Sequence, residues 1–202
     1  MSPPIAIVDY GMGNQASVVH TLRSLGYRVK LVASAEELDD AQLLILPGVG
    51  AFPAAMQALA ERGLTDCLRQ QVQAGRPILG ICLGMQLLTE ASHEHDYTKG
   101  LGLIPGEFVP FPNGGWHIGW NTITCRQNEA VVAGADGEAF YFNHSFHYQG
   151  PAEFQIARAG EPRPCVAIIR SGNVVGMQFH PEKSQAPGRA LLQDLITELT
   201  HA

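Results

Sequence analysis

Pro77-Ile78-Leu79-Gly80-Ile81-Cys82-Leu83-Gly84-Met85-Gln86-Leu87-Leu88 decides how the rest of the chain reads. The apolar run at residues 78–81 has the length and composition of a strand, and a helix is expected from Gly84. Between them Cys82 stands in a frame of two glycines, Gly80 and Gly84. This is the form of a nucleophile elbow, a sharp strand-to-helix turn that pushes a reactive side chain out at the carboxyl edge of a sheet. Glycines are needed where a side chain would collide with neighbouring backbone. A helix N-terminus at that point favours thiolate over thiol. A free cysteine is ordinarily a small buried hydrophobe; the glycine frame and the strand-to-helix position set Cys82 apart as a candidate nucleophile.

The alternation of short apolar runs with helix-period segments continues upstream, the pattern of a parallel sheet with covering helices. Residues 5–8 read as the first strand. Asn14 is suited to cap a helix over 15–25 that stops at Gly26. A second strand follows at 29–32. Ser34 and Glu37 have capping-box spacing for a short helix, and a third strand runs over 43–46. Helices are expected over 54–61 and 65–74. Between residues 103 and 179 the chain turns β-rich, at 107–111, 139–142, 155–157, 166–169 and 174–178, so a mixed sheet is expected. Residues 191–199 form an amphipathic helix. With no internal repeat and no linker, residues 1–202 read as a single domain. Its expected architecture is a flavodoxin-like α/β three-layer sandwich around a central mixed, mostly parallel sheet.

Composition narrows the function. The chain of 202 residues is 46% hydrophobic and 16% charged, with 22 glycines spread along it, as in ordinary globular proteins. Its net charge is −6 and its 13 Lys and Arg residues are scattered. No basic stripe is available for a phosphate backbone, so nucleic acid is not an expected partner. Cys67, Cys82, Cys125 and Cys165 form no Cys-x-x-Cys pair, which argues against a zinc site and a disulfide framework and suggests reduced thiols in a cytoplasm. The first ten residues lack the basic start of a signal peptide, and the longest apolar run, 77–88, is too short to span a membrane.

A thiolate nucleophile needs an acid and base partner, and Phe179-His180-Pro181-Glu182 follows the apolar run at 174–177. At i and i+2 on an extended segment, His180 and Glu182 project to the same side, so the carboxylate can orient the imidazole. Pro47-Gly48-Val49-Gly50-Ala51-Phe52 follows the third strand and opens at the same sheet edge as the elbow. Its glycines allow the Val49 N–H to turn toward an oxyanion together with the Leu83 N–H, each such donor being worth about 2.7–4 kcal/mol. Asp9-Tyr10-Gly11-Met12-Gly13-Asn14-Gln15-Ala16 has the spacing of a dinucleotide-binding fingerprint and makes such a protein the distant alternative. Against it, Val32-Ala33-Ser34 stands where a ribose-binding acid would end the second strand.

Elbow, glycine loop and His-x-Glu, in this order, resemble the class I, triad-type glutamine amidotransferases. More narrowly the chain is similar to the glutaminase subunits of imidazole glycerol phosphate synthases. That likeness rests on Asp9-Tyr10-Gly11-Met12-Gly13-Asn14, the glycine loop, the elbow, His117-Ile118-Gly119-Trp120-Asn121, and Gln178-Phe179-His180-Pro181-Glu182-Lys183-Ser184, nearly the whole chain. The resemblance implies a class I glutamine amidotransferase-like fold and hydrolysis of glutamine to glutamate. Ammonia would pass to a (β/α)8-barrel cyclase in a heterodimer, giving imidazole glycerol phosphate and aminoimidazole carboxamide ribotide in histidine biosynthesis. It implies no cofactor and no metal.

Carried over position by position, the resemblance makes Cys82, His180 and Glu182 the triad and Val49 and Leu83 the oxyanion hole. Gly50, Gln86, His144 and Ser145 line the glutamine pocket, and Asn14, Asn121 and Lys183 lie near the partner face. The chain departs from the pattern at Trp116, where the family has proline before His117, and at Asn143 and His147 around the His-Ser pair. Losing a fixed proline φ loosens that interface loop. The alternative within the class is a sister subunit serving another acceptor such as chorismate; such relatives begin differently and lack Gly-Trp-Asn.

Overall fold

The computed structural model describes residues 3–38 and 40–201. Its first half contains strands β1 (Ile5–Val8), β2 (Val29–Val32), β3 (Leu43–Gly48) and β4 (Ile78–Cys82), with helices α1 (Gln15–Ser24), α2 (Phe52–Glu61), α3 (Leu64–Gln73) and α4 (Leu83–Leu87). The second half runs β5 (Thr89–Ser92), β6 (Thr98–Lys99), β7 (Ile104–Pro110), β8 (His117–Cys125), β9 (Ala139–His144), β10 (Phe146–Gln149), β11 (Gln155–Ala159), β12 (Cys165–Ser171) and β13 (Val174–Met177). Helix α5 (Gln185–His201) closes it. The main sheet has nine strands in the order β2-β1-β3-β4-β13-β12-β11-β8-β9, and β10-β7-β5-β6 form a second sheet. Pairing is parallel from β2 to β13 and antiparallel from β13 to β9.

Strands β1, β3 and β4 are buried along their whole length. Side-chain alternation sends Ile5, Ile7, Leu43, Ile45, Leu79 and Ile81 to one face, where they meet Val18 and Leu22 of α1 and Leu191, Leu192, Leu195 and Ile196 of α5. Ala6, Val8, Leu44, Leu46 and Ile78 go to the other, against Phe52, Ala55 and Leu59 of α2 and Leu64 and Leu68 of α3. A strand covered on both faces reads as a continuous apolar run, which is why these strands are legible from sequence. The second sheet adds Ile104, Phe108 and Tyr148 to the α2–α3 side. The result is the α/β sandwich with a mixed sheet that the sequence implies.

Local details differ from the sequence reading. Asn14 precedes α1 but makes no capping bond to the backbone; its amide donates to Ser17 Oγ at 2.8 Å. The helix does stop at Gly26, where the Tyr27 N–H reaches the Leu22 carbonyl and the Gly26 N–H the Arg23 carbonyl, the two bonds of a Schellman end. Glu37 accepts from the Ala33 N–H, one residue before its expected partner, and only a 3-10 turn, Glu36–Leu38, follows. No described helix is long and apolar enough to cross a membrane.

Leu192 is fully buried between α5 and the sheet. Leu192→Ala should cost about 2–5 kcal/mol, read as a lowered urea midpoint at unchanged slope. A cost below about 1 kcal/mol would mean that α5 is not packed as described.

Candidate active site

Strand β4 delivers Cys82 at φ 54° and ψ −111°, a left-handed backbone that a non-glycine residue adopts only when its surroundings enforce it. The surroundings are the two flanking glycines. A Cβ on Gly80 would lie 2.7 Å from the Gly84 carbonyl group, and one on Gly84 would overlap the Leu46 carbonyl of β3. The elbow therefore forms because α4 crosses directly over β3. Within the sheet Gly48 pairs in register with Cys82, so the glycine loop leaves β3 beside the thiol, with Gly50 at φ 110°. The Tyr10 hydroxyl donates to the Pro47 carbonyl at 2.8 Å and ties this loop to the one after β1.

His180 follows β13, the strand next to β4, and its N–H donates to the Tyr141 carbonyl of β9. Its Nδ1 lies 2.8 Å from Glu182 Oε1, with both side chains 2% exposed. The pair forms as expected but not on an extended segment: Pro181–Lys183 is a 3-10 turn. Ser184 holds that turn by donating to the His180 carbonyl at 2.6 Å and accepting from the Tyr141 N–H at 3.0 Å. His180 Nε2 is buried without a hydrogen bond among the described residues. Burial opposes the charged imidazole, yet the Cys82 sulfur and the Glu182 carboxylate raise its pKa from 6.5 to about 10.

A cavity of about 320 Å³ brings most of the candidates together: Cys82, His180, Val49, Leu83, Gly50, Gln86, His144 and Ser145 all line it. Gln86 is tied down on its floor, with Nε2 3.4 Å from Gln178 Oε1, and the Gln178 amide lies 3.9 Å from Cys82 Sγ. His144 lines the cavity with both ring nitrogens engaged, Nδ1 with the Phe146 carbonyl at 2.7 Å and Nε2 with His117 at 3.1 Å. It therefore forms a wall and has no free polar atom for a ligand.

Of the three interface candidates, Asn14 and Lys183 are exposed. Asn121 is 7% exposed, and its amide bonds inward to His117 and to the Gly160 carbonyl. The loop that invited the dinucleotide reading is filled from within. Arg62 donates to the Tyr10 carbonyl at 2.6 Å and its guanidinium lies where a Cβ of Gly11 would, the ground a pyrophosphate needs.

Sequence reasoning missed Glu94, which lines the cavity and accepts from the Phe52 N–H at 2.7 Å. It lies in a polar stretch with no periodic signal. Gln178, which opens the His-x-Glu motif, is fully buried and polar at the end of an apolar strand, and that position is the signal that marks it. Trp116, which stands where the family has proline, is on the cavity rim and 62% exposed.

An elbow cysteine, a His–Glu pair and a glycine loop at one sheet edge of this sandwich define a class I glutamine amidotransferase. The corresponding family description, glutamine amidotransferase class-I, matches residues 6–199. The chain is 46% identical over 191 residues to the imidazole glycerol phosphate synthase subunit HisH of Streptococcus gordonii, covering 93% of this chain and 92% of that one. It is 42% identical over 202 residues to the HisH subunit of Listeria monocytogenes, with 98% and 97% covered. Among solved structures, PurLQS from Thermotoga maritima superposes with a TM-score of 0.80 at 22% identity over 98% of this chain and all of that chain, a likeness of fold. The chain belongs to the HisH family of class I glutamine amidotransferases.

The raised pKa of His180 carries a sign. Its protonated form is favoured by folding, so the stability it contributes is fully present below about 6.5 and is lost as pH rises through about 10. Glu182→Gln should flatten the fall in urea midpoint across that window. Superimposable pH profiles for the two proteins would show that the pair does not hold the proton.

Proposed function

We propose that the chain is the glutaminase subunit of an imidazole glycerol phosphate synthase. It hydrolyses glutamine and hands the ammonia to a cyclase that makes imidazole glycerol phosphate and aminoimidazole carboxamide ribotide in histidine biosynthesis. The observation that carries the chemistry is the strained Cys82 elbow sharing one cavity with His180, whose proton is held by Glu182. Cys82 Sγ attacks the side-chain amide carbon, and the backbone N–H groups of Val49 and Leu83 receive the oxyanion. His180 Nε2 gives its proton to the leaving nitrogen, so ammonia departs and a γ-glutamyl thioester remains. His180 then takes a proton from water as the hydroxyl adds to the thioester carbon. Collapse expels the Cys82 thiolate beside the reprotonated His180, which restores the starting pair, and the acid leaves as glutamate after its carboxyl proton passes to water.

The cavity suits the substrate at its other end too. Glu94 is its acidic group, the natural partner of an α-ammonium, while the Gln86 and Ser145 side chains supply neutral polar contacts. Residues 1–202 act as one amidotransferase domain, in keeping with a family match over 6–199. The proposed partner is a (β/α)8-barrel cyclase. Trp116, Ile118 and Trp120 leave an apolar stripe 50–62% exposed that starts at the cavity with Trp116 and is continued by Tyr141 and by Lys183, whose Nζ lies 5.9 Å from the Tyr141 ring centre. Tryptophan and tyrosine are what an interface core favours. None of the four cysteines is in a disulfide, which supports a cytoplasmic setting.

The test is glutamate release by the purified chain, alone and with a histidine-pathway cyclase and its ribonucleotide ligand. A large rise with the cyclase is expected, and Cys82→Ala should abolish release. Slow, Cys82-dependent hydrolysis that ignored the cyclase would assign the chain to another synthase. Glu94→Gln should raise KM for glutamine about tenfold or more with little change in kcat, since a charged hydrogen bond is worth about 1.5–3 kcal/mol. An unaltered KM would remove Glu94 from substrate binding.

A further inference from the structure

The start of strand β8 is inverted relative to an ordinary surface strand, the usual sense returning at the buried Ile123. Trp116, Ile118 and Trp120 face solvent, while His117 and Asn121 are buried, at 4% and 7% exposure. The buried pair begins a chain of hydrogen bonds whose direction is determined by donor count. Asn121 Nδ2 lies 3.1 Å from the Gly160 carbonyl and 3.2 Å from His117 Nε2. The carbonyl takes one N–H, so the second faces His117 Nε2, which must then carry a lone pair. The ring proton of neutral His117 is accordingly on Nδ1, 3.1 Å from His144 Nε2, which accepts it. His144 in turn carries its proton on Nδ1 and donates to the Phe146 carbonyl at 2.7 Å. Burial lowers the pKa of both rings, that of His144 to about 3, so the chain stays neutral and keeps this polarity. His117 is also stacked on Phe142, with ring centres 4.5 Å apart and planes 11° from parallel.

We propose that His117 and Asn121 are positioning residues for the glutamine pocket: through His144 they lock the turn at residues 143–146 against Cys82. The inference rests on the glutaminase reading of that pocket. The turn joins β9 to β10 and carries both Ser145, on the cavity wall, and the Asn143 carbonyl, 3.8 Å from Cys82 Sγ. His144 is its strut, closing the turn at one nitrogen and anchored to β8 at the other. Because the anchor is the strand that bears the exposed aromatic stripe, a partner seated on Trp116, Ile118 and Trp120 presses on the same backbone that holds the pocket wall.

The same groups invite a metal-site reading. His117 Nδ1, His144 Nε2 and Cys165 Sγ lie within 4.8 Å of one another, with the sulfur 3.7 Å and 4.0 Å from the two nitrogens. A metal would need lone pairs on both nitrogens. The Asn121 amide, held by the Gly160 carbonyl, puts a proton on His117 Nδ1 instead, and burial raises the Cys165 thiol to about 12. A hydrogen bond fills the gap.

Long-range proton–nitrogen spectra of the histidine-labelled full chain test the proposal without reference to activity. Both His117 and His144 are expected as Nδ1–H tautomers; an Nε2–H form of either, or loss of the His117 Nδ1 proton on adding zinc chloride, overturns it. His117→Phe keeps the stack on Phe142 but has no N–H, whereas the amide of His117→Gln retains one. In the phenylalanine variant the Asn143 and Ser145 amide resonances should move, and KM for glutamine with the cyclase should rise about three- to tenfold with kcat within about twofold. The glutamine variant should restore most of both. Equal effects of the two variants would overturn the proposal. A wild-type chain without glutaminase activity would sink the glutaminase reading alone, leaving the tautomers and the turn resonances to decide the positioning.

Discussion

The backbone of Gly84 rests on the Leu46 carbonyl with no room for a Cβ between them, and the site depends on that contact. It brings α4 down onto β3 immediately after β4 ends. The chain can make that descent only by passing through the left-handed conformation at Cys82. Strain at one non-glycine residue, of order 1–3 kcal/mol, is held there by the packing of Leu83, Met85, Leu87 and Leu88 beneath it. The same approach sets Gly48 beside Cys82 in the β3–β4 register, so one close contact aims the sulfur and brings the glycine loop to it. A side chain at Gly84 would lift α4 and release the strain, and the thiol would fall back into the line of the strand.

The second constraint is the change from parallel to antiparallel pairing at β13. The parallel half supplies Cys82 and the glycine loop from adjacent strand ends, as carboxyl edges of such sheets do. His180 follows the strand at the junction, and the antiparallel half returns to it: Tyr141 of β9, four strands away in sheet order, accepts from the His180 N–H. Two register shifts between β11 and β12 increase the local twist, and Phe140 and Phe142 then pack on Phe179 with ring centres 4.3 Å and 5.5 Å away. The curl turns the far end of the sheet into a wall of the cavity. Ser184 fastens it by bonding to both His180 and Tyr141.

These two constraints differ in how far sequence exposes them. The parallel strands β1, β3 and β4 are apolar on both faces, and the elbow announces itself through Gly80 and Gly84, so that half of the fold and the residues Cys82, His180 and Glu182 are readable in order along the chain. Of the second sheet only β7 is, at residues 107–111. Thr89–Ser92 and Thr98–Lys99 are short and polar, with no alternation to distinguish them from loop. Glu94 reaches the cavity from the loop between those two strands, and only the tertiary path shows it. Strand β8 escapes for a different reason: at its start the alternation is reversed, with Ile118 and Trp120 outward and His117 and Asn121 inward, so a rule that sends apolar residues to the core assigns those positions wrongly, although Ile123 inward and Thr122 and Thr124 outward obey it.

That reversal has a physical logic. An outward face of tryptophan and isoleucine is unfavourable in water and becomes favourable once another surface covers it, whereas an inward face of histidine and asparagine is tolerable only when every polar atom finds a partner. Both conditions bear on one strand because its two faces serve two surfaces at once, the proposed interface and the pocket wall. With a period of two, no residue of β8 can serve both. What the two faces share is the strand's backbone, whose displacement would move Trp120 on one side and His117 and Asn121 on the other together. A polar inner face suits this role because hydrogen bonds are directional: a small shift of β8 changes the geometry of the Asn121–His117–His144 chain, whereas an apolar contact would absorb it.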